Sequence, residues 1–156
     1  MIHERLYIGI DPGAHGGIAV LHANGDVLDI VTMPDTPLEI FLYLQDVKSQ
    51  AESVIALLEN VGHGIPGQSS SATAKFARHC GHLEMALISL SIPTSMVTPN
   101  KWMRHFQLGR SSDYTKTEWK NRLKAKAQQI FPSLGRKVTL STADALLMAE
   151  YLRNTK

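Results

Sequence analysis

Tyr7-Ile8-Gly9-Ile10-Asp11-Pro12-Gly13-Ala14-His15-Gly16-Gly17-Ile18-Ala19-Val20 is the stretch on which the reading of the fold turns. Leu6, Ile8 and Ile10 alternate with Tyr7, Gly9 and Asp11, the period-two pattern of a strand that delivers one carboxylate to its C-terminal end. Pro12-Gly13 turns the chain, Gly16-Gly17 permits close backbone approach, and Ile18 to Leu21 begins a second strand. Asp-Pro-Gly is also a common turn tripeptide, so the weight of Asp11 depends on what else converges on it. No helix N-terminus follows Gly16 and Gly17 to bind an anion, so they read as clearance between strands rather than as a phosphate cradle.

Outward from that stretch, Asn24-Gly25 between Leu21 and Val27 predicts a hairpin with a type I′ turn, positive φ at both central residues. Residues 5–33 then form an antiparallel meander, stopped by Pro34 and Pro37, with a helix opening over Leu38 to Leu44. Ser53-Val54-Ile55-Ala56-Leu57-Leu58-Glu59 is an almost wholly apolar run, as expected of a central strand covered on both faces. A right-handed crossover lays it parallel to the first strand, which puts Glu59 at the same sheet end as Asp11. A charged residue at a strand exit is also ordinary.

Gly62 to Ser71 is a loop ending in helix-capping serines. The helix after it carries Phe76, Cys80, Leu83, Leu87 and Leu90 as one apolar stripe, suited to core packing or to a homodimer seam. Ile92 to Thr98 returns as a fifth strand, and Thr98-Pro99 starts a helix with Lys101 and Arg104 one turn apart around Trp102. A polar segment, Gly109 to Thr117, leads into a helix over Glu118 to Phe131, with Lys116, Lys120 and Lys124 on one face. Trp102 and Trp119 are expected to be partly buried rather than free to stack on bases. The last helix begins near Ser141 and runs to about Arg153, so Asp144 fits half of a capping box behind a serine cap. Its face also carries Leu147, Met148 and Tyr151, which turns the carboxylate inward, where it needs a cation. The expected architecture is α/β, a five-stranded mixed sheet of order 3-2-1-4-5, its first three strands antiparallel, with helices on both faces.

Bulk properties narrow the function classes. A chain of 156 residues, 44% of them hydrophobic, fits one domain spanning 1–156 with a real core. The single cysteine, Cys80, excludes an internal disulfide, and the lack of paired cysteines argues against a structural zinc site. His79 and His82 have helical metal-ligand spacing but no third fixed ligand, so zinc is not expected there. With no basic-then-apolar leader and no apolar run near the length of a membrane span, the expectation is a soluble cytoplasmic protein without membrane contact. Net charge is +2, but residues 1–71 carry a balance of −7 and residues 72–137 a balance of +9. That asymmetry points to a polyanion contacted by the second half, or to helices with solvated basic faces.

Asp11, Glu59 and Asp144 then stand as three carboxylates, two on neighbouring strand ends and one on a packed helix. Like charges so close persist at neutral pH only beside a divalent cation or with a raised pKa. Oxygen donors favour Mg²⁺ or Mn²⁺, and two such ions about 3.5–4 Å apart suit phosphodiester hydrolysis. The chain resembles the RuvC-type Holliday junction resolvases of the ribonuclease H-like superfamily, especially the compact versions of phages and bacterial genomes. The resemblance is carried by Ile8-Gly9-Ile10-Asp11-Pro12-Gly13, the strand ending at Glu59, the Gly-Ile-Pro-Gly-Gln-Ser segment at 64–69, Val97-Thr98-Pro99 with Trp102, and Ala143-Asp144-Ala145-Leu146. It covers roughly residues 5–154 in the family's order.

The resemblance implies a ribonuclease H-like fold and a crossover junction endodeoxyribonuclease, with Asp11, Glu59 and Asp144 as catalytic metal ligands and no small-molecule cofactor. The family often has a fourth acidic or histidine ligand one turn before the last aspartate, where this chain has Ser141, a weak Mg²⁺ ligand; His15 is a less favoured substitute. The resemblance further implies a homodimer that nicks a four-way DNA junction symmetrically, in a bacterial cell or a phage-infected host. The loop with Gly62, His63 and Gln68 would approach the junction centre, and Lys75, Arg78, Lys101, Arg104, Lys116, Lys120 and Lys124 would contact phosphates. Two other readings keep the same catalytic geometry or fold: a nuclease of structured RNA or other branched DNA, and a catalytically silent junction-binding protein. An actin-like ATPase needs two such domains around its nucleotide, more than this length holds.

Overall fold

The computed structural model describes residues 2–62 and 67–156. The opening stretch forms β1 (His3–Asp11) and, after the Pro12–Gly16 turn, β2 (Gly17–His22). They pair antiparallel, Ile8 opposite Val20 and Asp11 opposite Gly17. The hairpin into β3 (Val27–Thr32) is present, but its turn is not type I′. Asn24 uses its side chain, Oδ1 accepting the Asp26 N–H at 2.9 Å, and only Gly25 takes a positive φ, 95°. The Gly25 N–H closes back on His22 O at 3.0 Å, and the register slips between Val20 and Leu21. The extra residue is Leu28 on β3, skipped between Asp29 opposite Val20 and Val27 opposite Leu21, a bulge in the strand.

Thr36 caps α1 (Pro37–Ser49) in a box with Glu39, so Pro37 starts this helix rather than only ending the strand before it. β4 (Ala51–Glu59) then runs parallel to β1, with Ile10 opposite Leu58. After α2 (Ser70–Ser89), capped by Ser69, β5 (Thr94–Val97) adds parallel to β4 at the sheet edge. The order is β3-β2-β1-β4-β5, as the sequence predicts.

The chain continues through α3 (Pro99–Arg104) and a short 3-10 turn (Ser111–Asp113) into α4 (Lys116–Ile130). α4 starts two residues before the predicted Glu118, because Thr115 is the cap and Glu118 its box partner. The last helix, α5 (Leu140–Thr155), also starts earlier than predicted. Thr139 donates its N–H to Thr142 Oγ1 at 3.0 Å, and Ser141 lies inside the helix. Asp144 is thus the fifth helical residue and no part of a cap.

Strand alternation sorts the core into two layers. Leu6, Ile8, Ile10, Val54, Ala56 and Leu58 face α1 and the second half of α2, where Leu83 and Leu87 are buried. Tyr7 and Leu57 face the other layer, built with α3, α4 and α5. Two of the five stripe residues, Leu83 and Leu87, are therefore taken up by the chain's own core, while Phe76, Cys80 and Leu90 are half-buried. Among the described residues no helix is long and apolar enough to cross a membrane.

Gly9 decides where α5 lies. A side chain there would run into Ala145 O and Ala149 N, and one on Gly17 would meet Ser141 O at 2.6 Å. Two glycines on the strands and two alanines on the helix let α5 rest directly on β1 and β2, with Leu146 and Leu147 fully buried beside them. Burial of side chains of that size contributes roughly 1.5–3 kcal/mol each.

Candidate functional site

The Ile10–Leu58 pairing sets Asp11 and Glu59 next in line on adjacent parallel strands. Their side chains alternate away from Ile10 and Leu58, onto the face that α5 covers. Because Gly9 and Gly17 admit the N-terminal turns of α5 so closely, Asp144 comes down over the same sheet end. The Gly16-Gly17 clearance read from sequence is real, although what Gly17 clears is helix α5 and β3 rather than strands alone.

All three carboxyls are pushed up. Burial raises Asp11 to about 8, and the charges of Asp144 and Glu59 add to the shift. Glu59, 8% exposed, is raised to about 7 by burial and by Asp144, against the lowering effect of a hydrogen bond from Trp102. Asp144 rises to about 6, chiefly through burial. Lys120 on α4 opposes the shift at both Asp11 and Asp144, though it stands beyond ion-pair distance of either. The site therefore gathers three carboxyls that hold their protons well above the usual range, with the Lys120 charge opposing the shift at two of them.

Trp102 is fully buried, more than predicted, and its indole N–H donates to Glu59 Oε2 at 2.7 Å. The bond fixes one carboxylate oxygen and leaves the other without a hydrogen-bond partner among the described residues. The donor set suits a hard divalent cation, three anionic oxygen groups from three elements. Among the described residues, no three His, Cys, Asp or Glu side chains stand close enough to one point to hold a metal as they lie. Ser141, one turn before Asp144, is half-exposed; His15 is exposed and lines a cleft with Lys75 and His79 rather than joining the carboxylates.

No family model matches the chain, and no curated protein matches it. The solved structures do. A Thermus thermophilus RuvC in complex with a Holliday junction substrate superposes with a TM-score of 0.66 at 16% identity, over 94% of this chain and 91% of that one. A second T. thermophilus RuvC structure gives 0.63 at 16% identity, over 94% and 92%. This chain has the RuvC fold.

On the RuvC fold of this chain the predicted basic residues divide between the two faces. Lys75 and Arg78 lie on α2, Lys101 and Arg104 on α3, and Lys116, Lys120 and Lys124 on α4; all but the half-buried Lys124 are exposed. Only Lys120 acts on the carboxylates. Gly62 and Gln68 are exposed at the edges of the loop, whereas His63 lies outside the described residues. His79 and His82 both border a cleft with Asp35, and His79 Nε2 is buried with no hydrogen-bond partner among the described residues.

Three contributors were missed by sequence reasoning. Gly9 was read only as an alternating strand position, although glycine on a strand face opposite an Ala-xxx-Ala helix is a packing signal. The Trp102–Glu59 bond joins residues 43 apart in sequence and leaves no local trace. Lys120 was grouped with its helical neighbours because periodicity gives a face but not what the face meets.

Proposed function

We propose that this chain is a metal-dependent endonuclease that resolves four-way DNA junctions by paired symmetric nicking, a crossover junction endodeoxyribonuclease of the bacterial cytoplasm or a phage-infected host. The observation that carries the reading is the convergence of Asp11, Glu59 and Asp144 from β1, β4 and α5 at one sheet end of a RuvC fold. The chain forms one nuclease domain, and junction binding is supported by the Holliday junction in the related T. thermophilus structure.

Asp11, Glu59 and Asp144 would hold one or two Mg²⁺ or Mn²⁺ ions, which supply Lewis-acid activation of water and neutralise charge on the phosphodiester. The chain's own residues prepare that site. Trp102 holds Glu59 in one orientation, Gly9 and Gly17 set the height of Asp144, and Lys120 adds positive charge where the phosphate approaches. Lys75, Arg78, Lys101, Arg104, Lys116 and Lys124 supply phosphate contacts along the arms. Paired nicks need two sites, hence a homodimer; the exposed Met85 and Ile88 on α2 and Met96 on β5 offer apolar surface for it.

Asp11→Asn tests the reading directly. End-labelled four-way, flap and linear DNA and a four-way RNA are incubated with Mg²⁺ or Mn²⁺. The wild type nicks the DNA junction symmetrically, whereas Asp11→Asn loses cleavage by at least about 100-fold and still binds, because the charge removed serves chemistry rather than docking. Cleavage by the variant at a wild-type rate would sink the assignment. Ser141 in place of a stronger ligand favours one second reading, a junction-binding protein without catalysis. Metal-dependent nicking that a chelator abolishes disposes of it.

A further inference from the structure

A cleft of about 270 Å³ opens where the end of α3 meets the segment leading into α4. Arg104 and Arg110 line it together with Asn100, Ser111, Ser112 and the Trp119 indole, and no acidic side chain does. Guanidinium and indole groups only donate hydrogen bonds, while the hydroxyls and the amide can donate as well. The Trp119 Nε1–H is buried with no hydrogen-bond partner among the described residues. Hydroxyl, amide and guanidinium donors beside two permanent positive charges suit an oxyanion, and planar guanidinium forks match phosphate in particular.

The cleft is braced from α4. Arg122 donates from Nη2 to Leu108 O at 2.9 Å and stacks 4.5 Å over the Tyr114 ring, which in turn lies 5.8 Å from the Trp119 ring. The chain turns on either side of Leu108, at Gln107 and Gly109, with φ of 55° and 90°. Arg104 has no ion-pair partner among the described residues. Arg110 meets only Asp113, at 3.4 Å with both side chains largely exposed, a contact that contributes little and yields readily to a stronger anion.

The geometry points to a phosphate clamp in which Arg104, Arg110, Ser111 and Ser112 grip one backbone phosphate of a junction arm, apart from the carboxylates. This assignment rests on the junction reading above. Trp119 borders the clamp, and the next residue, Lys120, lies in the field of Asp11 and Asp144, so one turn of α4 ties the arm's position to the reacting site. The clamp positions DNA and takes no part in chemistry.

Two measurements test it on the full chain. In the first, a labelled four-way junction is bound at salt from about 50 to 200 mM, where each lost phosphate contact flattens the slope of log K against log salt by about 1. Arg104→Gln and Arg110→Gln are each expected to weaken binding roughly 3- to 10-fold and the pair further. Arg5→Gln, a charge-matched change on the exposed start of β1, leaves affinity within about 2-fold. In the second, inorganic phosphate is titrated while the two indole N–H resonances are followed; the Trp119 signal moves in the wild type and stays still in the double variant. A double variant with wild-type affinity, salt slope and phosphate response overturns the clamp alone. A wild type that binds no branched DNA overturns the junction reading, and the clamp's assigned ligand falls with it.

Discussion

Glu59 enters the site through a single indole. Trp102 Nε1–H is its one hydrogen-bond donor among the described residues, at 2.7 Å, and it holds Oε2 inside a wall that otherwise disfavours charge. Trp102→Phe keeps most of the ring volume and removes that donor. The Glu59 carboxyl should then rise above its value of about 7, and the side chain should lose its fixed orientation. Groups that orient metal ligands typically change metal affinity or activity by 10- to 100-fold, so roughly that loss is expected in a Mn²⁺ titration of nicking. Leaving a buried acceptor unpaired also lowers stability by about 1–3 kcal/mol, seen as a lower melting temperature. A variant with wild-type metal dependence shows that the bond serves packing alone.

The elements carry a different lesson, because the site is set by how closely one helix lies on one sheet. Gly9→Ala places a methyl against Ala145 O and Ala149 N, backbone atoms that cannot rotate away. The helix must lift, and Asp144 lifts with it. Overpacking of this kind typically destabilises by about 1–3 kcal/mol, and the expected result is a lower melting temperature together with a loss of nicking out of proportion to it. An alanine variant with unchanged melting would mean that α5 does not rest on Gly9. Strand order and the C-terminal placement of Asp11 and Glu59 were legible because period-two alternation and an apolar central run are local patterns. Helix starts were less so: Thr139 and Thr115 each had a competing polar neighbour, Ser141 and Thr117, that reads equally well as a cap. The turn at Asn24-Gly25 was legible as a hairpin but not by type, since an asparagine can supply a left-handed backbone or a side-chain acceptor. The depth at which α5 sits was not legible at all, for it depends on pairs such as Gly9 and Ala145 that lie 136 residues apart.

Across the whole molecule, three raised carboxyls couple folding to pH and to cations. In the folded chain Asp11, Glu59 and Asp144 titrate near 8, 7 and 6, against ordinary values of 3.8, 4.5 and 3.8. Between those limits the folded state binds more protons than the unfolded state, so unfolding free energy must fall as pH rises. The contribution is fully present below about pH 4, is lost progressively as pH rises from there, and is gone once pH has passed through the highest folded value, about 8. Metal-free protein should therefore melt at a lower temperature at pH 8 than at pH 5. A cation that binds only the folded, ionised site reverses the trend, adding about 2.7 kcal/mol at a hundredfold excess over its dissociation constant, and adds most at high pH, where no proton must be displaced. Asp11→Asn removes the highest of the three titrations. Its metal-free melting temperature should vary less with pH and exceed the wild type's at pH 8, while the gain from Mg²⁺ or Mn²⁺ shrinks. Thermal melts at pH 5, 6, 7 and 8, with chelator and with each metal, distinguish this from a structural carboxyl cluster. A wild type equally stable at all four pH values, with no response to either ion, would mean that the buried charges at this sheet end are compensated from within the chain.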